Sequence, residues 1–157
     1  MNKLISFDNS RRFFSNLKSK GNKIVFTNGC FDLLHPGHID YLERAKKLGD
    51  LLVIGLNEDD SIKILKGNQR PINNLNFRST MLAALNSVDF IVPFKEETPA
   101  NLIQEIEPQV LVKGGDYTID NIVGAEFVQQ TGGEVLVIPF LDGYSSSSII
   151  SKIQSLK

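Results

Sequence analysis

Five short runs of this chain are almost continuously apolar: residues 23–26 (KIVF), 51–56 (LLVIGL), 90–92 (FIV), 110–112 (VLV) and 134–139 (EVLVIP). A strand with one wet face alternates apolar and polar residues. These runs do not, so both of their faces are expected to be covered, as in a parallel sheet. Stretches of helical pattern lie between them. One is expected over residues 9–20, with Phe13, Phe14 and Leu17 inward and Gly21 as its stop. Another starts near Gly37, carries Ile39, Leu42, Ala45 and Leu48 on one face, and ends at Gly49. Others are expected over 77–85, 99–105 and 121–130, and a last one leaves a serine run with Ile149, Ile150, Ile153 and Leu156 at helical spacing. Alternation of this kind implies a three-layer α/β fold with about five parallel strands and right-handed crossovers.

A length of 157 residues suits one domain spanning residues 1–157. Net charge is −1, from 17 basic and 18 acidic residues, so a uniformly basic nucleic-acid binder is disfavoured. Cys30 is the only cysteine, which excludes an intrachain disulfide and points to a reducing cytoplasm. The first residues hold no sustained apolar run, so neither a signal peptide nor a membrane anchor is expected there. The chain lacks GxxxxGK and GxGxxG, leaving a P-loop kinase or a dinucleotide dehydrogenase without support. It also has no Cys/His cluster for zinc.

Parallel sheets of this type bind ligands beyond the carboxyl ends of their strands. The segments that follow the five strands are 27–38, 57–71, 93–99, 113–117 and 140–148, and they hold both histidines and much of the glycine. The first, TNGCFDLLHPGH, places His35 and His38 three residues apart. Pro36 suits a first helical position and Gly37 permits close backbone approach. Both imidazoles then lie on one side of a helix's first turn, beside its free N–H groups and the positive end of its dipole. That is a phosphate site with two added donors.

HPGH, preceded by GCFD and followed by LERAKKLGD, resembles the HxGH nucleotidyltransferase superfamily of cytidylyltransferases and adenylyltransferases. VKGGDY, IVGAEFV and GGEVLVIPF-x-DG-x-S resemble one branch of it, the D-glycero-β-D-manno-heptose 1-phosphate adenylyltransferases. The resemblance covers residues 23–153 and implies a Rossmann-like fold. In many bacteria this unit is the C-terminal half of a bifunctional kinase/adenylyltransferase. The present chain has no room for the kinase half, so a stand-alone transferase is expected.

The implied reaction moves AMP from ATP to a heptose 1-phosphate, giving an ADP-heptose for lipopolysaccharide-type glycans and releasing pyrophosphate. Mg²⁺ is expected as cofactor, held mainly by the ATP phosphates, with no protein metal ligands. His35, His38, Lys63 and Arg70 are the expected catalytic residues, stabilising charge at the phosphates. Asp32, Lys66 and Arg78 are expected to bind substrate; LKG-x-x-RP with its following FR is similar to the superfamily's substrate-closing loop. The nucleotide is expected against Thr27, Asn28, Gly29, Cys30 and Phe31, against Gly37, and against Lys113, Gly114 and Asp116. Ser145, Ser146, Ser147 and Ser148 complete that set, at a helix start where one serine would suffice as a cap. Relatives that use CTP on glycerol phosphate carry arginine where this chain has Phe140, which favours the heptose branch. Cys30 has no evident base beside it and reads as packing against the nucleotide. The partners expected are ATP, a sugar 1-phosphate and a second copy of the chain, without nucleic acid or membrane. The alternatives are a cytidylyltransferase acting on an alcohol phosphate and a non-catalytic nucleotide sensor.

Overall fold

The computed structural model describes residues 3–115 and 117–156. Helix α1 (Phe7–Ser19) leads into β1 (Ile24–Gly29), α2 (Pro36–Lys46) and β2 (Leu51–Asn57). Then come α3 (Asp59–Lys66), α4 (Leu75–Ala83), β3 (Phe90–Phe94), α5 (Ala100–Ile106) and β4 (Val110–Gly114). A 3-10 turn (Ile119–Asn121), α6 (Ala125–Gln130), β5 (Glu134–Ile138) and α7 (Ser146–Gln154) complete the chain.

The five strands form one parallel sheet in the order β3-β2-β1-β4-β5. Chain progress runs outward through β2 and β3 from β1, then returns to the other side of β1 with β4. The β1/β4 boundary is therefore the point where strand order reverses, the usual ligand crevice of such sheets. Both faces are covered, as the unbroken apolar runs require. Phe14 of α1, Leu102 and Ile103 of α5 and Val128 of α6 pack with Phe26 and Leu111 on one face. Tyr41, Leu42 and Ala45 of α2 and Leu82 of α4 pack with Val25, Ile54 and Val112 on the other. Phe14 is fully buried, and its truncation to alanine would cost about 3–5 kcal/mol.

Two features lie outside the sequence expectations. Residues 3–5 pair along the exposed edge of β3, with Ile5 N donating to Ile91 O and Ile91 N to Lys3 O, both at 2.9 Å. That covers an edge otherwise open to association. Helix α3 occupies part of residues 57–71, where no helix is expected. Asp59 and Asp60 in its first turn and Lys63 and Lys66 in its last complement the helix dipole, and Gly67 (φ +92) ends it. Helix α1 spans Phe7–Ser19, two residues earlier than its expected start. No helix among the described residues is long and apolar enough to cross a membrane.

Candidate active site

Strands β1 and β4 pair only at Val25 with Val110 and Phe26 with Leu111, so beyond Phe26 they diverge. Tyr41 of α2 fills the base of the split. Its hydroxyl shares a 2.6 Å hydrogen bond with Thr27 Oγ1 and donates to Val112 O at 3.3 Å. Burial pushes the phenol well above its ordinary value, so it stays protonated. One layer higher, Lys113 Nζ donates to Asn28 Oδ1 at 3.3 Å. Burial lowers the Lys113 pKa, with the Cys30 thiol opposing.

The chain leaves β1 through a sharp turn in which Phe31 takes a left-handed φ of 46°. The turn aims the Cys30 carbonyl and the Asp32 side chain at the 70–78 segment. The chain then enters α2 with His35 as N-cap and Pro36 in the first turn. The two imidazoles stack, with centroids 3.8 Å apart and planes 23° off parallel. Both Nδ1 atoms are buried without a hydrogen-bond partner. Burial depresses the His35 pKa. Burial, the neighbouring His35 and the Lys66 charge bring His38 to about 4, against a weaker upward pull from the Leu33 backbone. The pair is therefore neutral at pH 7. Each ring can still donate one N–H, and an arriving polyanion favours its protonation.

Asp32 is 4% exposed and organises the opposite wall. Its Oδ2 accepts from Arg70 Nε at 2.6 Å and Ile72 N at 2.9 Å, and its Oδ1 accepts from Asn73 N at 2.8 Å. Burial alone would raise its pKa; the backbone donors of Asn73 and Ile72, with Arg70, outweigh that and hold it below the usual carboxylate range. Arg70 Nη2 is buried without a partner. Arg78 is 1% exposed and donates to Asn73 O, Cys30 O and Asp59 Oδ1.

The far side is built from glycines and aromatics. A Cβ on Gly114 would come within 2.4 Å of Phe140 Cε1, and one on Gly115 within 2.9 Å of Phe140 Cε2. Phe140 thus rests on bare backbone, edge-on to Tyr41. Ser145 caps α7 by accepting from Ser148 N at 3.0 Å, and Ser146 Oγ donates to Leu33 O at 3.2 Å.

These elements enclose a cavity of about 200 Å³ at the carboxyl ends of β1 and β4. Asn28, Gly29, Cys30, Phe31 and Asp32 line it, with His38 and Tyr41 from α2, Lys66 and Arg70, Lys113, Gly114, Tyr117, Phe140 and Ser146. Lys66, Arg70 and Lys113 converge there with the neutral His38, and among the described lining residues the only carboxylate is Asp32, whose oxygens are already engaged. The cavity suits a polyanion. A larger cavity, about 570 Å³, lies between residues 4–8 and the end of β3. It is lined by Asp8, Glu58 and Glu96 against a single lysine, so it repels the same ligand.

A cytidylyltransferase-like family model matches residues 26–152. The chain belongs to the cytidylyltransferase-like family. Among its relatives, it is 54% identical over 147 residues to the bifunctional protein HldE of Pasteurella multocida, covering 94% of this chain and 31% of that protein. This chain of the family therefore spans about a third of the length of the curated relatives it matches. A solved lipopolysaccharide core biosynthesis protein from Thermoplasma volcanium is 29% identical, with a TM-score of 0.60 over 80% of this chain and all of that one. Pantoate-beta-alanine ligase from Francisella tularensis shares the fold alone, at 15% identity and a TM-score of 0.60 over 98% of this chain and 77% of that one.

In this cytidylyltransferase-like chain, the cavity gathers most of the residues singled out from sequence but not all. Lys63 stands apart. It is exposed on α3 one turn before Lys66, does not line the cavity, and is paired with Asp60 at 2.7 Å. Asp32 lines the cavity and Arg78 lies outside its lining; both spend their charges on protein partners. Gly37 is buried because the His35 ring and Tyr144 occupy the space a side chain would need. Thr27 lies beneath the cavity, bonded to Tyr41. Ser147 and Ser148 are exposed on the first turn of α7. Asp116 lies outside the described residues. Burial pushes the Cys30 thiol up despite nearby Lys66, Arg78 and Arg70, which disfavours a nucleophilic thiolate. Tyr117 and Tyr41 were missed; an aromatic after a glycine pair, and a tyrosine on the inward face of α2, were the available signals.

Proposed function

We propose that this chain transfers AMP from ATP to D-glycero-β-D-manno-heptose 1-phosphate in the cytoplasm, as a step toward lipopolysaccharide-type glycans. The observation that carries the reading is the convergence of His38, Lys66, Arg70 and Lys113 on one cavity at the strand-order reversal. Similarity to HldE over 94% of the chain supports the heptose substrate.

In this reading, a phosphate oxygen of the sugar 1-phosphate attacks the α-phosphorus of ATP. The α–β anhydride bond breaks, and pyrophosphate departs with its electron pair. A phosphate monoester is already anionic near pH 7, so no general base is needed. The protein's work is positioning and charge stabilisation. Arg70 presents its unpartnered Nη2 to the phosphates from a fixed position. The stacked imidazoles donate from the start of α2, where the helix dipole favours negative charge. Lys66 neutralises part of the outer phosphates. Lys113 sits where the two substrates meet. Phe140, packed against Gly114 and Gly115, offers an apolar surface to the nucleoside.

Mg²⁺ enters this reading with the nucleotide. Among the described residues no three His, Cys, Asp or Glu side chains are grouped to hold a metal ion, and the oxygens of Asp32 are engaged. The phosphates would be its ligands, supplying charge neutralisation, and no protein step is assigned to it.

Pyrophosphate release with ATP, CTP, GTP and UTP, each offered heptose 1-phosphate and glycerol phosphate, tests the reading. ATP with the heptose ester should be the preferred pair. A preference for CTP with glycerol phosphate would replace it with the cytidylyltransferase alternative.

A further inference from the structure

A second cavity, about 170 Å³, opens across the Asn28–Lys113 bridge, toward α5 and α6. It shares Asn28, Lys113 and Tyr117 with the polyanion cavity and adds Asn121, Ile122 and Val123 among its own walls. We infer that this cavity holds the sugar ring of the acceptor, with the acceptor phosphate against Lys113. The inference rests on the transfer reading above and assigns the second substrate its place.

The geometry of displacement carries the argument. The attacking oxygen must touch the α-phosphorus, so the acceptor's cavity has to adjoin the nucleotide's. Two further cavities do. One, about 250 Å³, reaches it through Phe31 and Asp32, but its charged residues are Asp32 and Arg78, both fully engaged with the protein. The other joins it at Lys113. An ammonium has three donors, and the Asn28 bond uses one. The others can reach an anion lying between the cavities.

The lining beyond Lys113 suits a polyol. Asn121 Nδ2 donates to Thr118 Oγ1 at 2.8 Å, which leaves its Oδ1 as an acceptor for a hydroxyl. Tyr117 carries Lys113 Nζ 5.7 Å from its ring centroid and adds a phenol beside the shared wall. Ile122 and Val123 supply an apolar surface for the C–H face of a sugar. No carboxylate is among the described lining residues, so an arriving phosphate meets no repulsion.

Val123 is 43% exposed, so Val123→Phe can fill the cavity without crowding the core. It should raise KM for heptose 1-phosphate about tenfold or more and leave KM for ATP within about twofold. Asn121→Ala, at an exposed position, should shift the same constant in the same direction and decides the matter if Val123→Phe fails to fold. An unchanged sugar-phosphate KM in the folded variants overturns the assignment and leaves the transfer reading standing. If wild-type protein turns over no heptose 1-phosphate, the transfer reading fails. Methyl NMR with glucose 1-phosphate as probe then decides the cavity: shifts at Ile122 and Val123 sustain it as a sugar-phosphate site, and their absence overturns it.

Discussion

Arg70 Nε donates to Asp32 Oδ2 at 2.6 Å, while the same guanidinium's Nη2 is buried and has no protein partner. One edge of the fork is held and the other is free of protein partners. Because the Asp32 carboxylate also takes the N–H groups of Ile72 and Asn73, it fixes the segment that delivers Arg70 as well as the side chain itself. Ordering a free arginine would otherwise consume part of its binding energy.

Arg70→Ala should lower kcat/KM for ATP about 10- to 150-fold, the loss of one charge-assisted contact of ~1.5–3 kcal/mol. Asp32→Asn should approach the same loss, because a neutral amide pairs more weakly with the guanidinium and its NH2 cannot accept from the backbone N–H groups. The double variant should fall no further than the worse single one. Steady-state kinetics of the three proteins check this, and additive losses would mean that Asp32 acts independently of Arg70.

The histidines set a pH dependence. His38 sits at about 4 in the folded protein against an ordinary value of 6.5. Between those values the unfolded chain binds a proton that the fold refuses, so stability should fall as pH drops from about 6.5 toward 4 and level off below. His38→Gln should flatten that slope. Thermal unfolding at intervals across this range reads it directly. An ATP analogue should raise the imidazole pKa, visible by NMR titration.

Lys63 and Lys66 stand one turn apart on α3, and of the two Lys66 lines the cavity. Lys63→Ala should leave kcat/KM within about twofold, since an exposed ion pair contributes little. Lys66→Ala should cost about tenfold or more, as a charged contact inside the cavity does. Equal effects would contradict the placement of α3.

Gly37→Ala should reduce turnover with little loss of fold. Its methyl would stand 3.1 Å from His35 Nδ1 and 3.2 Å from Tyr144 Cβ, displacing the imidazole. Circular dichroism and kinetics together check this. Wild-type kcat would show that the His35 position tolerates the shift.

The layered sheet was readable because its strands are continuously apolar, a pattern that few alternatives share. Helix α3 was not. Ile62, Ile64 and Leu65 share one side of it, but at eight residues the segment is too short for that pattern to stand out from a loop, and only Ser61 and Ile62 are buried in it. Without its phase, the cations of residues 63–78 look equivalent. HPGH was legible because proline, glycine and two histidines constrain one turn. The engagements of Asp32 and Arg78 link residues up to 48 positions apart through backbone atoms, which carry no sequence signal.

The most decisive measurement is ³¹P NMR of wild-type protein with ATP and D-glycero-β-D-manno-heptose 1-phosphate. The ATP and sugar-phosphate resonances should give way to a diphosphate-ester pair and a pyrophosphate singlet, in equal molar amounts. ADP with a heptose bisphosphate, or ADP with inorganic phosphate, would place the attack at the γ-phosphorus and contradict the reading of this cavity.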